Sequence, residues 1–223
     1  MRYTFITPTL VRDTLPRLCE SIDKQTNGDW EHIIVIDCPM TPHKEEVLAQ
    51  VKSDPRRKIV TCTTQHVRDF GNAARRQAFD IAEGEYILDI DDDDYYADDR
   101  VLETLECVTA VWAVFPVNAY GVRCHPPAPA LGRTGSAMFM YRRDTGMKFP
   151  DNASYSADGE LVEQLKAKYP YQQLDDCREL VIYPKGNKGR EQEEIDRWER
   201  RQKPLKYKSD GLTIDWHEHN TRG

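Results

Sequence analysis

The chain has 223 residues, 39% of them hydrophobic and 31% charged, with a formal net charge of −7. That is enough for one domain with a full core, and the acidic balance excludes a broad basic footprint for nucleic acid. The longest uncharged stretch, residues 108–122, is short and contains Pro116, so it is no candidate for a bilayer span.

The charge is unevenly spread. Asp89, Asp91, Asp92, Asp93, Asp94, Asp98 and Asp99 account for the whole of the acidic excess, which points to a local cation site. The six cysteines form no CxxC pair, and scattered reduced thiols suggest a cytoplasmic protein. The start of the chain, with polar Thr7-Pro8-Thr9 interrupting its apolar residues, reads as a first strand rather than a signal peptide.

In chain order, residues 3–7 predict a strand and 15–22 a helix, capped by Asp13 or Thr14 with Pro16 in its first turn. Residues 32–37 form a near-continuous apolar run, expected of a strand buried on both faces. Pro42 opens a helix through Val51, 58–61 is a strand, and 72–82 a helix ended by Gly84. Residues 86–90 are a strand running into the aspartates. This alternation predicts a mostly parallel α/β sheet, in which ligands bind beyond the carboxyl ends of the strands.

The second half is less regular. It predicts a helix over 100–108, strands over 111–115 and 137–141, and a proline-rich loop over 124–133. A helix over 158–168 and a strand over 179–183 follow, then a Lys/Gly loop, a polar helix over 191–201 and a last strand over 212–216.

The strongest chemical signal is Gly84-Glu-Tyr-Ile-Leu-Asp-Ile-Asp-Asp-Asp-Asp-Tyr-Tyr96. Carboxylates crowded at a strand end repel one another and call for a cation, Mn2+ or Mg2+. Asp98 and Asp99 fit better as caps of the following helix. An EF-hand register starting at Asp89 fails at Asp94 and Arg100.

The run from Ala73-Ala-Arg-Arg to Asp91-Asp-Asp93-Asp94-Tyr resembles the family 2 glycosyltransferases of the GT-A fold, continuously from about Tyr3 to Tyr96 and patchily beyond. The resemblance implies a single domain over 1–223, with residues 1–96 as the nucleotide-sugar half and 97–223 as the acceptor half with a C-terminal tail. It implies Asp91 and Asp93 as the DxD metal and diphosphate pair. Thr7, Thr9, Asp37, Arg75, Asp91 and Asp92 fall on the donor side, and Asp158 is the general base with Glu160 as fallback. His217 and His219 become candidate metal ligands from the tail. Cys38 stands where the family often has a second aspartate, leaving a UDP-sugar only as the default donor. Arg133–Arg142 resembles the small-residue strand leading to the acceptor. The implied reaction is inverting transfer of a sugar to the hydroxyl of a glycan or other acceptor. Two other readings compete: a haloacid-dehalogenase-like phosphohydrolase with Asp89 or Asp91 as nucleophile, and a non-catalytic nucleotide- or cation-binding module.

Overall fold

A computed structural model describes residues 1–64, 69–119, 122–124, 129, 135–152, 156–174, 177 and 179–184. In chain order the first half runs β1 (Tyr3–Thr9), α1 (Leu15–Asp23), β2 (Trp30–Ile36), α2 (Pro42–Ala49), β3 (Arg57–Thr61), α3 (Asn72–Ile81) and β4 (Tyr86–Asp89). Then come β5 (Tyr95–Tyr96), α4 (Val101–Leu105), β6 (Trp112–Val114), β7 (Val117–Ala119), β8 (Val122–Cys124), β9 (Phe139–Arg142), α5 (Ala157–Lys168), β10 (Tyr171–Gln173) and β11 (Val181–Tyr183).

Seven strands form one sheet in the order β10-β6-β9-β4-β1-β2-β3. β3, β2, β1 and β4 are all parallel, while β9 runs antiparallel to both β4 and β6. The predicted mostly parallel sheet is therefore present. A second sheet, β5-β11-β7-β8, was not foreseen. Met1–Tyr183 make one compact unit, and among the described residues no helix is long and apolar enough to cross a membrane.

Every residue of β1 and β2 is buried. Alternation explains how: Ile34 and Ile36 pack with Leu15, Cys19 and Val47 on one face, and Ile33 and Val35 with Ala74, Ala78 and Leu161 on the other. Each such aliphatic side chain contributes about 1.5–3 kcal/mol on burial, which keeps two polar residues of β2 inside. Glu31 accepts hydrogen bonds from Thr4 Oγ1 (2.7 Å), the Glu83 N–H (2.5 Å) and Lys58 Nζ (3.0 Å). His32 Nδ1 accepts from Arg57 Nε (3.2 Å), leaving its Nε2–H to donate to Thr7 Oγ1 (3.0 Å).

Three local expectations change. Thr14 makes no capping bond to α1, and Asp13 instead pairs with His43 (2.8 Å). Gly84 is not the cap of α3, which ends at Ile81 with an extended Ala82. It lies where a Cβ would come 2.5 Å from Thr4 Oγ1 and 2.7 Å from the Tyr3 carbonyl carbon, so the tight approach to β1 requires glycine. Residues 137–141 split into a 3-10 turn, Ser136–Met138, and β9. The Lys/Gly loop, the 191–201 helix and the 212–216 strand lie outside the described residues, as does most of the 124–133 loop.

Candidate active site at the strand ends

β1, β2 and β4 end side by side: the Asp37 N–H donates to the Thr9 carbonyl (2.8 Å) and the Ile90 N–H to the Ile6 carbonyl (3.0 Å). The aspartate run leaves β4 at this edge and turns back, with the Asp94 N–H on the Asp91 carbonyl (3.1 Å). Asp91, Asp93 and Asp94 each present a carboxylate oxygen within 4.8 Å of the others. Oxygen donors of this kind suit a hard divalent cation such as Mn2+ or Mg2+. Without one the acids crowd. Burial and then the neighbouring Asp91 push Asp93 up to about 6, and burial followed by the same neighbour pushes Asp94 well above the carboxylate range. Asp94 belongs to the cluster, although the resemblance implied only Asp91 and Asp93 as the metal pair.

Asp92 has a different place. It is buried, and its oxygens accept from Thr9 Oγ1 (2.5 Å) and Arg12 Nη1 (2.8 Å). It fastens the aspartate turn to the β1–α1 loop. Thr9, also buried, accepts the Val11 N–H (2.7 Å) on the same hydroxyl. Thr7 is fully buried with its hydroxyl on His32, so it supports β1 from within and offers the strand edge no side chain.

Arg75 is not a surface residue of α3. Its Nε donates to Asp89 Oδ1 (3.0 Å), Nη1 to the Phe70 carbonyl (2.8 Å) and Nη2 to Asp91, and its guanidinium lies over the Phe149 ring (5.0 Å). Burial opposes its charge, but Asp91 and Asp89 outweigh that and hold it charged. Asp89 goes the other way: burial pushes it up to about 7 despite Arg75. Among the described residues its Oδ2 has no hydrogen-bond partner. The start of α3 explains why Arg75 sits here. Asp69 accepts the Gly71 (3.2 Å) and Ala73 (2.7 Å) N–H groups, and Gly71 holds φ +79 against Pro8 of β1. No sequence pattern had marked Asp69.

The acceptor-side expectations also come to this edge. β9 pairs with β4, Met140 opposite Leu88, and a Cβ on Gly135, just before it, would lie 3.8 Å from Asp158 Oδ2. Asp158 stands in the first turn of α5 and is raised by burial, with the charge of Arg75 lowering it in part. Glu160 accepts from Asn152 Nδ2 (2.9 Å) at an exposed position. Asp98 accepts the Arg100 N–H (2.8 Å) in a turn ahead of α4, but Arg100 leads the helix with no side-chain capping bond, so Asp98 does not cap it as expected. His217 and His219 lie outside the described residues.

The structure thus defines a Rossmann-like α/β fold with an acidic site at the carboxyl ends of its parallel strands. Residues 4–148 match the family Glycosyl transferase family 2, and the chain belongs to that family. WcaA of Escherichia coli (strain K12), a glycosyl transferase named for colanic acid biosynthesis, is 35% identical over 42% of this chain and 33% of its own length. TuaG of Bacillus subtilis (strain 168), a glycosyltransferase named for teichuronic acid biosynthesis, is 27% identical over 56% of this chain and 48% of its own. The chain thus spans a third to a half of these relatives. S. aureus TarS 1–349 superposes with a TM-score of 0.68 at 19% identity, over 82% of this chain and 60% of that one. The mannosyltransferase PcManGT from Pyrobaculum calidifontis, in complex with GDP-Man and Mn2+, gives 0.62 at 15%, over 84% and 58%. These likenesses establish the GT-A fold expected from the sequence, and the family match gives the phosphohydrolase reading no support.

Proposed function

We propose that this chain is a metal-dependent, inverting glycosyltransferase domain that moves a sugar from a nucleoside diphosphate to an acceptor hydroxyl. The observation that carries the reading is the cluster of Asp91, Asp93 and Asp94, tied through Asp91 to Arg75, whose charge also acts on Asp158. TarS has been crystallised with UDP-GlcNAc and PcManGT with GDP-Man, which supports a nucleotide-sugar donor; UDP is the default base. Residues 1–96 supply the donor side, with Thr9 and Asp37 flanking the nucleoside and Arg75 and Asp92 fixing the acidic turn. Residues 97–223 supply the acceptor side.

Mn2+ or Mg2+ bound by Asp91 and Asp93 supplies electrostatic stabilisation of the departing diphosphate. Asp158 accepts the proton of the acceptor hydroxyl as its oxygen bonds to the anomeric carbon and the bond to the diphosphate breaks. Its raised affinity for a proton, caused by burial, suits that task. Arg75 holds Asp91 in place. Among the described residues Cys19, Cys38, Cys62, Cys107 and Cys177 form no disulfide, which supports a cytoplasmic setting. The test is a thermal-shift panel of UDP, GDP and their sugars with and without Mn2+. A melting temperature raised most by nucleotide and cation together is expected; no rise with any pair would sink the reading.

A further inference from the structure

Arg12 stands one residue after a strained turn. Val11 holds φ +57, a left-handed conformation that is strained for a β-branched residue. Two contacts enforce it: its N–H on Thr9 Oγ1 and its side chain buried among Leu15, Ile34 and Ile36. The turn aims Arg12 back at the aspartates, where Nη1 lies 2.8 Å from Asp92 Oδ1 and 2.9 Å from Asp93 Oδ2. The two carboxylates differ in freedom. Asp92 is 3% exposed and pinned by Thr9, whereas Asp93 is 31% exposed and belongs to the cation cluster. One guanidinium nitrogen serves both, so the arginine can release Asp93 and keep Asp92. At 49% exposure it has room to pivot.

We infer that Arg12 is a built-in counter-ion, competing with the divalent cation for Asp93 and turning to the donor diphosphate once the cation displaces it. The inference rests on the cation site proposed above. Its consequence is coupled binding. A cation arriving alone must break an ion pair with nothing to receive the freed guanidinium. A cation arriving with a diphosphate offers that guanidinium a new anion, and the two ligands tighten each other's binding.

The experiment is calorimetric titration of Mn2+ into parent, Arg12→Gln and Arg17→Gln proteins, alone and with saturating UDP or GDP. Arg17 loses the same charge but donates to the Asp93 carbonyl (2.9 Å) rather than a carboxylate. Arg12→Gln should bind Mn2+ alone about fivefold more tightly than the parent, the scale of a partly exposed ion pair. It should also show a smaller tightening by nucleotide. Arg17→Gln should change Mn2+ binding alone by less than about twofold. A merely structural role for Arg12 would weaken both affinities together. Unchanged or weaker Mn2+ binding in Arg12→Gln, or an equal gain in Arg17→Gln, overturns the inference and leaves the cation site standing. A parent that binds no Mn2+ under any condition overturns both. Arg12→Met, which keeps the apolar stem, repeats the test should the glutamine change cost stability.

Discussion

At the scale of single residues, the site is a contest between carboxylates that repel and cations that hold them. Removing Asp93 takes away a crowded acid and no core contact. Asp93→Ala should therefore keep the parent melting temperature and lose cation-dependent nucleotide binding, read by the same thermal shift. Asp158→Asn keeps the size of the side chain and removes its proton affinity. It should spare donor binding and cut sugar transfer about 100-fold or more, the usual weight of a general base, whereas Glu160→Gln, altering a group bonded at the surface to Asn152, should leave transfer within about threefold. Equal losses in the two variants would remove Asp158 from the base role. The aspartates were legible because an apolar strand carries them to the edge where a parallel sheet places its ligands. Asp94 was not assigned to the metal pair, since a DxD resemblance says nothing about a tight turn that brings the fourth acid back. Arg12 had no signal at all: an arginine in a loop looks like surface until its partners are seen.

At the scale of elements, the parallel core was readable because long apolar runs and amphipathic helices declare their period. β5, β7, β8 and β10, each two or three residues long, are too short to show one, and the second sheet went unread with them. Gly84 shows a different blind spot. Its sequence position at a helix end suggested a cap, while its real constraint is the backbone of β1, distant in sequence. A Cβ there meets the Thr4 nitrogen at 2.8 Å as well as the Tyr3 carbonyl carbon, and two central strands cannot part cheaply. Gly84→Ala should cost about 1–3 kcal/mol by overpacking, measured as a lower midpoint in urea unfolding. A parent-like midpoint would mean that the β1–β4 pairing yields more easily than its burial implies.

At the scale of the whole molecule, one polar chain crosses the parallel half of the sheet. Asp23 of α1 accepts from Arg57 of β3 (2.6 Å), Arg57 donates to His32 of β2, and His32 donates to Thr7 of β1. The Cys19 and Lys52 carbonyls also accept from Arg57, at 3.4 and 2.9 Å. Burial, and then the facing guanidinium, hold His32 well below its ordinary value of about 6.5. The sign of the effect follows. Above about pH 6.5 the imidazole is neutral in folded and unfolded chains alike, and this group takes nothing from stability. Below it the unfolded chain binds a proton that the folded chain refuses, so stability falls with falling pH by up to about 1.4 kcal/mol per pH unit. Protonation in place would turn Nδ1 into a donor facing Arg57, breaking the chain between β2 and β3. His32→Gln should be less stable than the parent at pH 8, having lost a buried ring and its bonds. Its unfolding free energy should then decline more gently between pH 7 and 5, because the carboxylates that titrate there remain the same in both proteins. Urea unfolding at pH steps across that window measures the difference. Parallel curves for parent and variant would show that the buried imidazole takes up its proton without unfolding the strands it joins.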